Sequence, residues 1–399
     1  MKALKALEIN SESIKLGGER SVIREIFEYG NMRAGVVGRE NVYDFSLGNP
    51  AVPTPECIND TIRELVSDGG FNVHGYTSAQ GALPARRSIA ESITRRFGVS
   101  ASPDDIYITC GAAASLTITL NALCNKGDEV IAFAPYFPEY KVFVEGAGAE
   151  FCVVSADTDK FQINFEGLEK TLTEKTKAVI INSPNNPTGS VLTENTVLRL
   201  CDMLRSYSER FGHAIYLISD EPYRELVYDG ALVPYIPKYY DDSIVCYSYS
   251  KSLSLAGERI GYIFVNPSME YSRDVYAAVC GAGRKLGFVC APSLMQYAVA
   301  KNPDAVSDVL QYKENRDILY GALTEYGYEC VPPDGAFYLF VKSPLESSEK
   351  FCELARGLDL LLVPSDSFGC PGYLRISYCV SKDMILHSLP LFKKLIAAV

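Results

Sequence analysis

The chain has 399 residues and a mass of 43.9 kDa, which exceeds one ordinary hydrophobic core, so we expect two domains. Its formal net charge of -11 argues against nucleic acid and anionic membrane surfaces as partners. No stretch is long and apolar enough to span a bilayer, and residues 1–30 are too charged for a secretory signal. The cytoplasm is therefore the expected compartment.

Short apolar runs alternate with helical patterns between about residues 106 and 265. This alternation predicts an α/β fold with a mostly parallel, seven-stranded sheet covered on both faces. The predicted strands are residues 106–109, 130–134, 151–154, 178–182, 215–219, 244–248 and 262–265. A helix is expected to begin near Gly111 and to end at residues 125–128, and the glycine-rich residues 281–287 are expected to form a loop.

The pattern of predicted helices and strands changes after Pro292. A helix is predicted at residues 310–323, strands at 336–341 and 374–378, and a final helix from Asp383. These elements predict a smaller α+β unit at residues 291–399, beside a large domain at residues 51–290.

The twelve cysteines form no C-x-x-C pair and are scattered along the chain. Only three histidines accompany them, so we expect no metal site. Buried free thiols in a reducing compartment are the expected state.

Polar side chains follow three of the predicted strands. Asn186 lies in a tight turn after residues 178–182, Asp220 and Tyr223 flank Pro222 after the next strand, and Lys251 follows residues 244–248. Ligands in open parallel sheets lie outside the carboxyl ends of the strands, so these side chains are expected to converge.

Lys251 is preceded by Ser248 and Ser250 and followed by Arg259. A lysine acts as a nucleophile towards an aldehyde only after losing its proton, which a neighbouring cation such as Arg259 promotes. The guanidinium and the two hydroxyls can also bind a phosphate. Pyridoxal phosphate (PLP) chemistry needs such a set: a lysine, an anion such as Asp220 for the ring nitrogen, and donors such as Asn186 and Tyr223 for the ring oxygen.

Together these motifs resemble the class I/II aminotransferases, the aspartate aminotransferase-like, fold type I enzymes that use PLP. The resemblance covers nearly the whole chain and is carried by residues 186–189 (NPTG), 220–223 (DEPY), 248–251 (SYSK), 259–262 (RIGY), 333–338 (PDGAFY) and 373–377 (YLRIS). It implies that residues 1–50 pack with the small domain. It also implies a homodimer with active sites shared between the subunits.

The resemblance assigns further roles by position. It implies backbone contacts of Gly111, Ala112 and Ala113 to the cofactor phosphate and stacking of Tyr136 on the cofactor ring. Tyr76 is implied to reach the phosphate of the neighbouring subunit. The substrate α-carboxylate is implied to meet Arg375, Asn186 and the backbone of Gly48, while Lys251, Asp220 and Tyr223 do the catalytic work.

The implied reaction is amino transfer between an L-amino acid and a 2-oxo acid. Aspartate with 2-oxoglutarate is one candidate pair, because Arg284 and Lys285 fall near a position where related enzymes read a side-chain carboxylate from the partner subunit. A solvated loop charge is the alternative for both residues. A PLP-dependent carbon-sulfur β-lyase acting on cystathionine- or cysteine-type substrates would use the same cofactor residues and stays open at this point.

Overall fold

The computed structural model of the protein describes residues 9–18, 21–67 and 73–399. Its helices are α1 (Ser11–Gly18), α2 (Val22–Val37), α3 (Glu56–Ser67), α4 (Leu83–Phe97), α5 (Ala112–Leu123), α6 (Glu139–Gly146), α7 (Phe165–Thr171), α8 (Glu194–Phe211), α9 (Tyr249–Ser252), α10 (Ser272–Leu286), α11 (Ser293–Lys301), α12 (Val309–Glu325), α13 (Ser348–Arg356) and α14 (Lys382–Ile396). Its strands are β1 (Tyr43–Asp44), β2 (Ile106–Thr109), β3 (Glu129–Phe133), β4 (Glu150–Val154), β5 (Thr176–Asn182), β6 (Tyr216–Glu221), β7 (Ser243–Ser248), β8 (Gly261–Val265), β9 (Cys330–Val331), β10 (Tyr338–Lys342), β11 (Leu360–Leu361), β12 (Val363–Pro364) and β13 (Tyr373–Ser377).

Seven strands form the central sheet in the order β2-β8-β7-β6-β5-β3-β4. Strand β8 runs antiparallel to both of its neighbours, and the pairs formed by β3 to β7 are parallel. Each predicted strand overlaps one of these seven, so the predicted α/β fold with a mostly parallel sheet is confirmed.

Both faces of the sheet are buried, which explains why its strands are continuous apolar runs. In β5, Ala178 and Ile180 pack in one core with residues of α5, α6 and α10. Val179 and Ile181 point to the other face and pack with residues of α7 and α8. Alternation along one strand thus builds two separate cores.

The C-terminal unit contains a second, antiparallel sheet in the order β12-β13-β10-β9. Helices α12, α13 and α14 contribute to its core, which also includes Phe45 from the N-terminal segment. Strand β1 pairs with β11, and Ile26 of α2 packs against Leu361, Val363 and Phe368. The N-terminal segment therefore contacts the C-terminal unit, while the boundaries at residues 50 and 290 stay a prediction.

The prediction of a loop at residues 281–287 is wrong, because α10 continues to Leu286 and Gly287 follows it in a left-handed conformation. Gly283 lies inside this helix against β2. A Cβ atom at Gly283 would lie 2.2 Å from the hydroxyl oxygen of Tyr107, so a glycine is needed for the close approach.

All twelve cysteines are free. Five are buried, six are partly buried and Cys57 is exposed, so the expectation of buried thiols holds for only part of the set. Within residues 9–18, 21–67 and 73–399, no helix has both the length and the apolar character needed to cross a membrane.

Candidate active site

The carboxyl ends of β5, β6 and β7 and the start of α5 open onto a cleft of about 280 Å³. Asn182 lies opposite Asp220 in the register of β5 and β6, so these strands end side by side. The predicted site residues that line the cleft are Gly48, Ala112, Ala113, Asn186, Asp220, Tyr223, Ser248, Ser250, Lys251, Arg259 and Arg375. The predicted convergence of the strand ends is therefore what the fold produces.

Lys251 lies in the short helix α9, directly after β7. The hydroxyl of Ser248 caps this helix by accepting from the Ser250 amide at 3.2 Å. Lys251 Nζ donates to the carbonyl oxygen of Gly48 at 2.5 Å. The pKa of Lys251 is lowered to about 8, mainly by burial; the charges of Arg375 and Arg259 also lower it, and Cys379 acts in the opposite direction. Arg259 thus acts as predicted, but burial has the larger effect.

Asp220 is buried at the end of β6, where the Asn182 side-chain amide donates to its carbonyl oxygen at 2.9 Å. Its Oδ2 accepts from the hydroxyl of Tyr140 at 2.5 Å. Its Oδ1 is buried and has no hydrogen-bond partner among the described residues. Burial raises the pKa of Asp220 to about 7, against the lowering effect of the Tyr140 hydrogen bond.

The start of α5 and Arg259 form a cationic corner of the cleft. Gly111, the N-cap residue directly before α5, has a positive φ of 89°. A Cβ atom there would lie 2.8 Å from Arg259 Nη2, so the glycine allows the guanidinium to approach the helix start. Arg259 Nη1 donates to Ser250 Oγ at 3.3 Å, and Ser250 Oγ lies 2.8 Å from Ser248 Oγ. Amides, guanidinium and hydroxyls together suit a phosphate.

Arg375 lies on β13, lines the cleft and is 2% exposed. Its Nη1 donates to Asn186 Oδ1 at 3.1 Å, and its Nη2 donates to the carbonyl oxygen of Ser46. Its guanidinium lies 4.7 Å from the ring centre of Tyr338 and 5.2 Å from that of Phe368. Nε is buried without a partner among the described residues, so Arg375 retains a donor for a carboxylate.

Tyr338 is a cleft residue that the sequence reasoning did not select. Its hydroxyl oxygen lies 2.9 Å from that of Tyr223. A Cβ atom on Gly48 would lie 2.1 Å from the same hydroxyl, so the backbone there can approach only as glycine. The signal was present, because Tyr338 ends the motif at residues 333–338, which carried part of the resemblance.

Tyr136 does not line this cleft, so its predicted stacking on the cofactor ring stays a prediction that the geometry of the described chain does not support. The Tyr136 ring packs edge-on against Phe151, with centroids 5.1 Å apart, and lies close to Gly369. The neighbouring Phe137 lines the cleft instead. Tyr140, three residues further on, supplies the hydrogen bond to Asp220 and was also missed.

Tyr76 lies outside this chain's cleft and is fully exposed, at 100% of its reference area. Arg284 and Lys285 are exposed near the end of α10 and do not line the cleft either. No role for these three residues within a single chain follows from the geometry.

The profile of the family described as "Aminotransferase class I and II" matches residues 40–389. The chain belongs to this family. It is therefore a PLP-dependent transferase, and the resemblance stated from its motifs is confirmed.

Three relatives illustrate the range of class I and II aminotransferases similar to this chain. An aspartate aminotransferase of Thermotoga maritima is 32% identical over 88% of this chain and 90% of its own. Aromatic-amino-acid aminotransferase 2 of Thermococcus litoralis is 29% identical over 94% and 95%. A crystal structure of an aminotransferase from Eubacterium rectale has 54% identity and a TM-score of 0.96, over 98% of this chain and 99% of the other.

The cleft fits the cofactor of this family. The unpartnered Oδ1 of Asp220 suits a protonated ring nitrogen, and the corner at Gly111 and Arg259 suits a phosphate. Lys251, with its lowered pKa, is an amine that lines the same cleft. The donor set of the described residues therefore agrees with PLP on chemical grounds.

Proposed function

We propose that the chain moves the amino group of an L-amino acid to a 2-oxo acid, with PLP held at Lys251. One observation carries this proposal: three groups suited to a cofactor and a substrate line a single cleft. They are the Lys251 amine, whose pKa is lowered to about 8, and two buried atoms without a hydrogen-bond partner among the described residues, Asp220 Oδ1 and Arg375 Nε. An aldehyde, a ring cation and a substrate carboxylate would satisfy them in turn.

PLP, when bound, supplies an electron sink for the carbanion that forms at the substrate α-carbon. In our proposal Asp220 keeps the ring nitrogen protonated, while Asn186 and Tyr223 donate to the ring oxygen. Lys251 Nζ would remove the proton from the substrate α-carbon as a general base and, once protonated, would return a proton as a general acid.

The remaining residues position the reactants. Arg259, Ser248, Ser250 and the backbone at residues 111–113 would hold the phosphate. Arg375 would bind the α-carboxylate, together with Asn186 and the backbone of Gly48, and this fixes the α-proton in front of Lys251. Phe137, which lines the cleft, would stack on the cofactor ring in place of Tyr136.

The relatives are named after different amino acid substrates, so their names do not identify the amino donor of this chain. Aspartate with 2-oxoglutarate stays one candidate pair, with support from the Thermotoga maritima relative. The β-lyase alternative gains no support, because the three relatives above are all named as aminotransferases.

The test mixes the PLP-loaded protein with single amino acids and follows the cofactor absorbance. Conversion to the pyridoxamine form with release of the matching 2-oxo acid, and its reversal by a second 2-oxo acid, would support transamination. Release of pyruvate, ammonia and a thiol from a cysteine-type substrate would instead establish β-elimination.

A Tyr140→Phe variant is expected to be most impaired at low pH. The lost hydrogen bond normally lowers the pKa of Asp220, so that pKa should rise, and the acidic limb of kcat/KM should move to higher pH. We expect a loss of roughly 5- to 10-fold at about pH 6, and a smaller loss at about pH 8.5. Tyr216→Phe, at the other end of β6, is the control and should keep the wild-type profile.

We further propose a homodimer whose sites are shared, in which the fully exposed Tyr76 reaches the phosphate corner of the neighbouring subunit. Mixing Tyr76→Phe subunits with Lys251→Ala subunits should produce hybrids with one intact site. At equal amounts about a quarter of all sites would be intact, so activity should exceed that of the two parents combined.

The matched control for this mixing experiment combines Asp220→Asn with Lys251→Ala subunits. Both residues line the cleft of one chain, so each hybrid site carries a lesion and no activity should return. Recovery in the control, or a fully active monomer in sedimentation, would contradict the shared site.

A further inference from the structure

Every charged side chain that lines the cleft already has a role in the proposed mechanism. Of the described residues, these are Asp220, Lys251, Arg259 and Arg375. Arg259 lies at the phosphate corner with Ser250, and Arg375 is bound to Asn186 and the backbone of Ser46. No further cation of the described chain lines the cleft to meet a second carboxylate of a substrate.

Two apolar side chains of the N-terminal segment also line the cleft. Ile23, in the first turn of α2, lines the cleft and packs with the core that contains Phe368, whose ring lies against Arg375. Leu47 also lines the cleft and is 39% exposed, beside Gly48, which accepts the Lys251 hydrogen bond. We call the side chains of Ile23 and Leu47 the apolar rim of the cleft.

Ala113 lines the cleft near the cationic corner with only a methyl group. A carboxylate on the substrate side chain would lose water against Ile23 and Leu47 without gaining a further cation from the described residues of this chain, which is unfavourable. An apolar side chain would gain by leaving water at the same surface. The rim therefore favours a substrate with an apolar side chain over one with a charged side chain.

We propose that the amino donor carries an apolar aliphatic or aromatic side chain that lies against Ile23 and Leu47, and that aspartate and glutamate are poor donors. This inference rests on the proposed transamination. In this proposal Ile23 is a specificity-determining residue, because its apolar side chain lines the cleft and it is not among the groups assigned to the cofactor.

The first experiment measures single half-reactions of the PLP-loaded protein with leucine, phenylalanine, alanine, aspartate and glutamate, followed by cofactor absorbance. We expect kcat/KM for leucine or phenylalanine to exceed that for aspartate and glutamate by about 10-fold or more. Equal or faster reaction of aspartate or glutamate would overturn the inference while leaving transamination intact. If no amino acid converts the cofactor, the proposed function falls and the inference falls with it.

A variant pair tests the rim itself. Ile23→Ala should lower the ratio of kcat/KM for leucine to that for alanine by about 10-fold, because the alanine methyl makes little contact with the rim. Val22→Ala is the matched control. It lies one residue away in α2 and packs against the same core but does not line the cleft, so this ratio should stay at the wild-type value. An unchanged ratio in Ile23→Ala would overturn the role of Ile23.

Binding of unreactive analogues provides a readout that does not depend on turnover. 4-Methylpentanoate is leucine without its amine, and glutarate is glutamate without its amine. The wild-type protein should bind 4-methylpentanoate about 10-fold more tightly than glutarate, and Ile23→Ala should reduce this preference. Tighter binding of glutarate would show that a cation outside this chain's cleft, such as Arg284 of the partner subunit, reads the side chain.

Discussion

Replacing Lys251 with alanine is expected to abolish transamination, with a loss of about 10⁴-fold or more in kcat. The reason is that Lys251 would both hold the cofactor and move the α-proton. Among the described residues it is the one lysine that lines the cleft, so no other lysine there could replace it. The measurement is the half-reaction rate with a good donor substrate.

Two controls separate chemistry from folding in this variant. Lys238→Ala removes an exposed lysine and should retain wild-type activity. Added methylamine should restore part of the proton transfer in Lys251→Ala, because a small amine can occupy the space of the lost side chain. Near-normal activity of Lys251→Ala without added amine would contradict the assignment.

Asp220→Asn is expected to fold and to lose about 10²- to 10³-fold in kcat. The amide keeps the shape of the carboxylate and can still accept from Tyr140, but it cannot balance a protonated ring nitrogen at the position of Oδ1. Loss in kcat with a smaller change in KM would be the signature of this role.

The matched control is Asp242→Asn. Burial also raises the pKa of Asp242, but this residue lies in the turn before β7 and does not line the cleft. It should therefore have near wild-type turnover. Near-normal turnover of Asp220→Asn would show that Asp220 does not partner the ring.

The strands of the central sheet were predictable because both faces are buried, so each strand is a local apolar run. The same property made Asn186, Asp220 and Lys251 predictable as neighbours, since parallel strands end at one edge of the sheet. The order of the strands and the antiparallel direction of β8 could not be predicted from the sequence and are known from the structure.

The missed residues depend on contacts between distant parts of the chain. Tyr136 and Phe137 are adjacent aromatic residues, and nothing local tells which ring faces the cleft. The packing of Tyr136 against Phe151 and Gly369 decides it. Likewise, Tyr140 is 80 residues from Asp220, and Tyr338 is 115 residues from Tyr223.

The wrong prediction of a loop at residues 281–287 also results from a contact between distant parts of the chain. Glycines within a helix lower its intrinsic stability, so local propensity favoured a loop. In the fold, Gly283 is needed because the hydroxyl of Tyr107 leaves no room for a Cβ atom. A tertiary requirement therefore overrode the local preference.

The most direct test of the central claim is the identity of the lysine that holds PLP. The PLP-loaded protein would be reduced with borohydride, digested and mapped by mass spectrometry. The account predicts that the cofactor is attached at Lys251 and that Lys251→Ala is not labelled there or elsewhere. Attachment at a different lysine, or stable loading with no covalent attachment at Lys251, would contradict it.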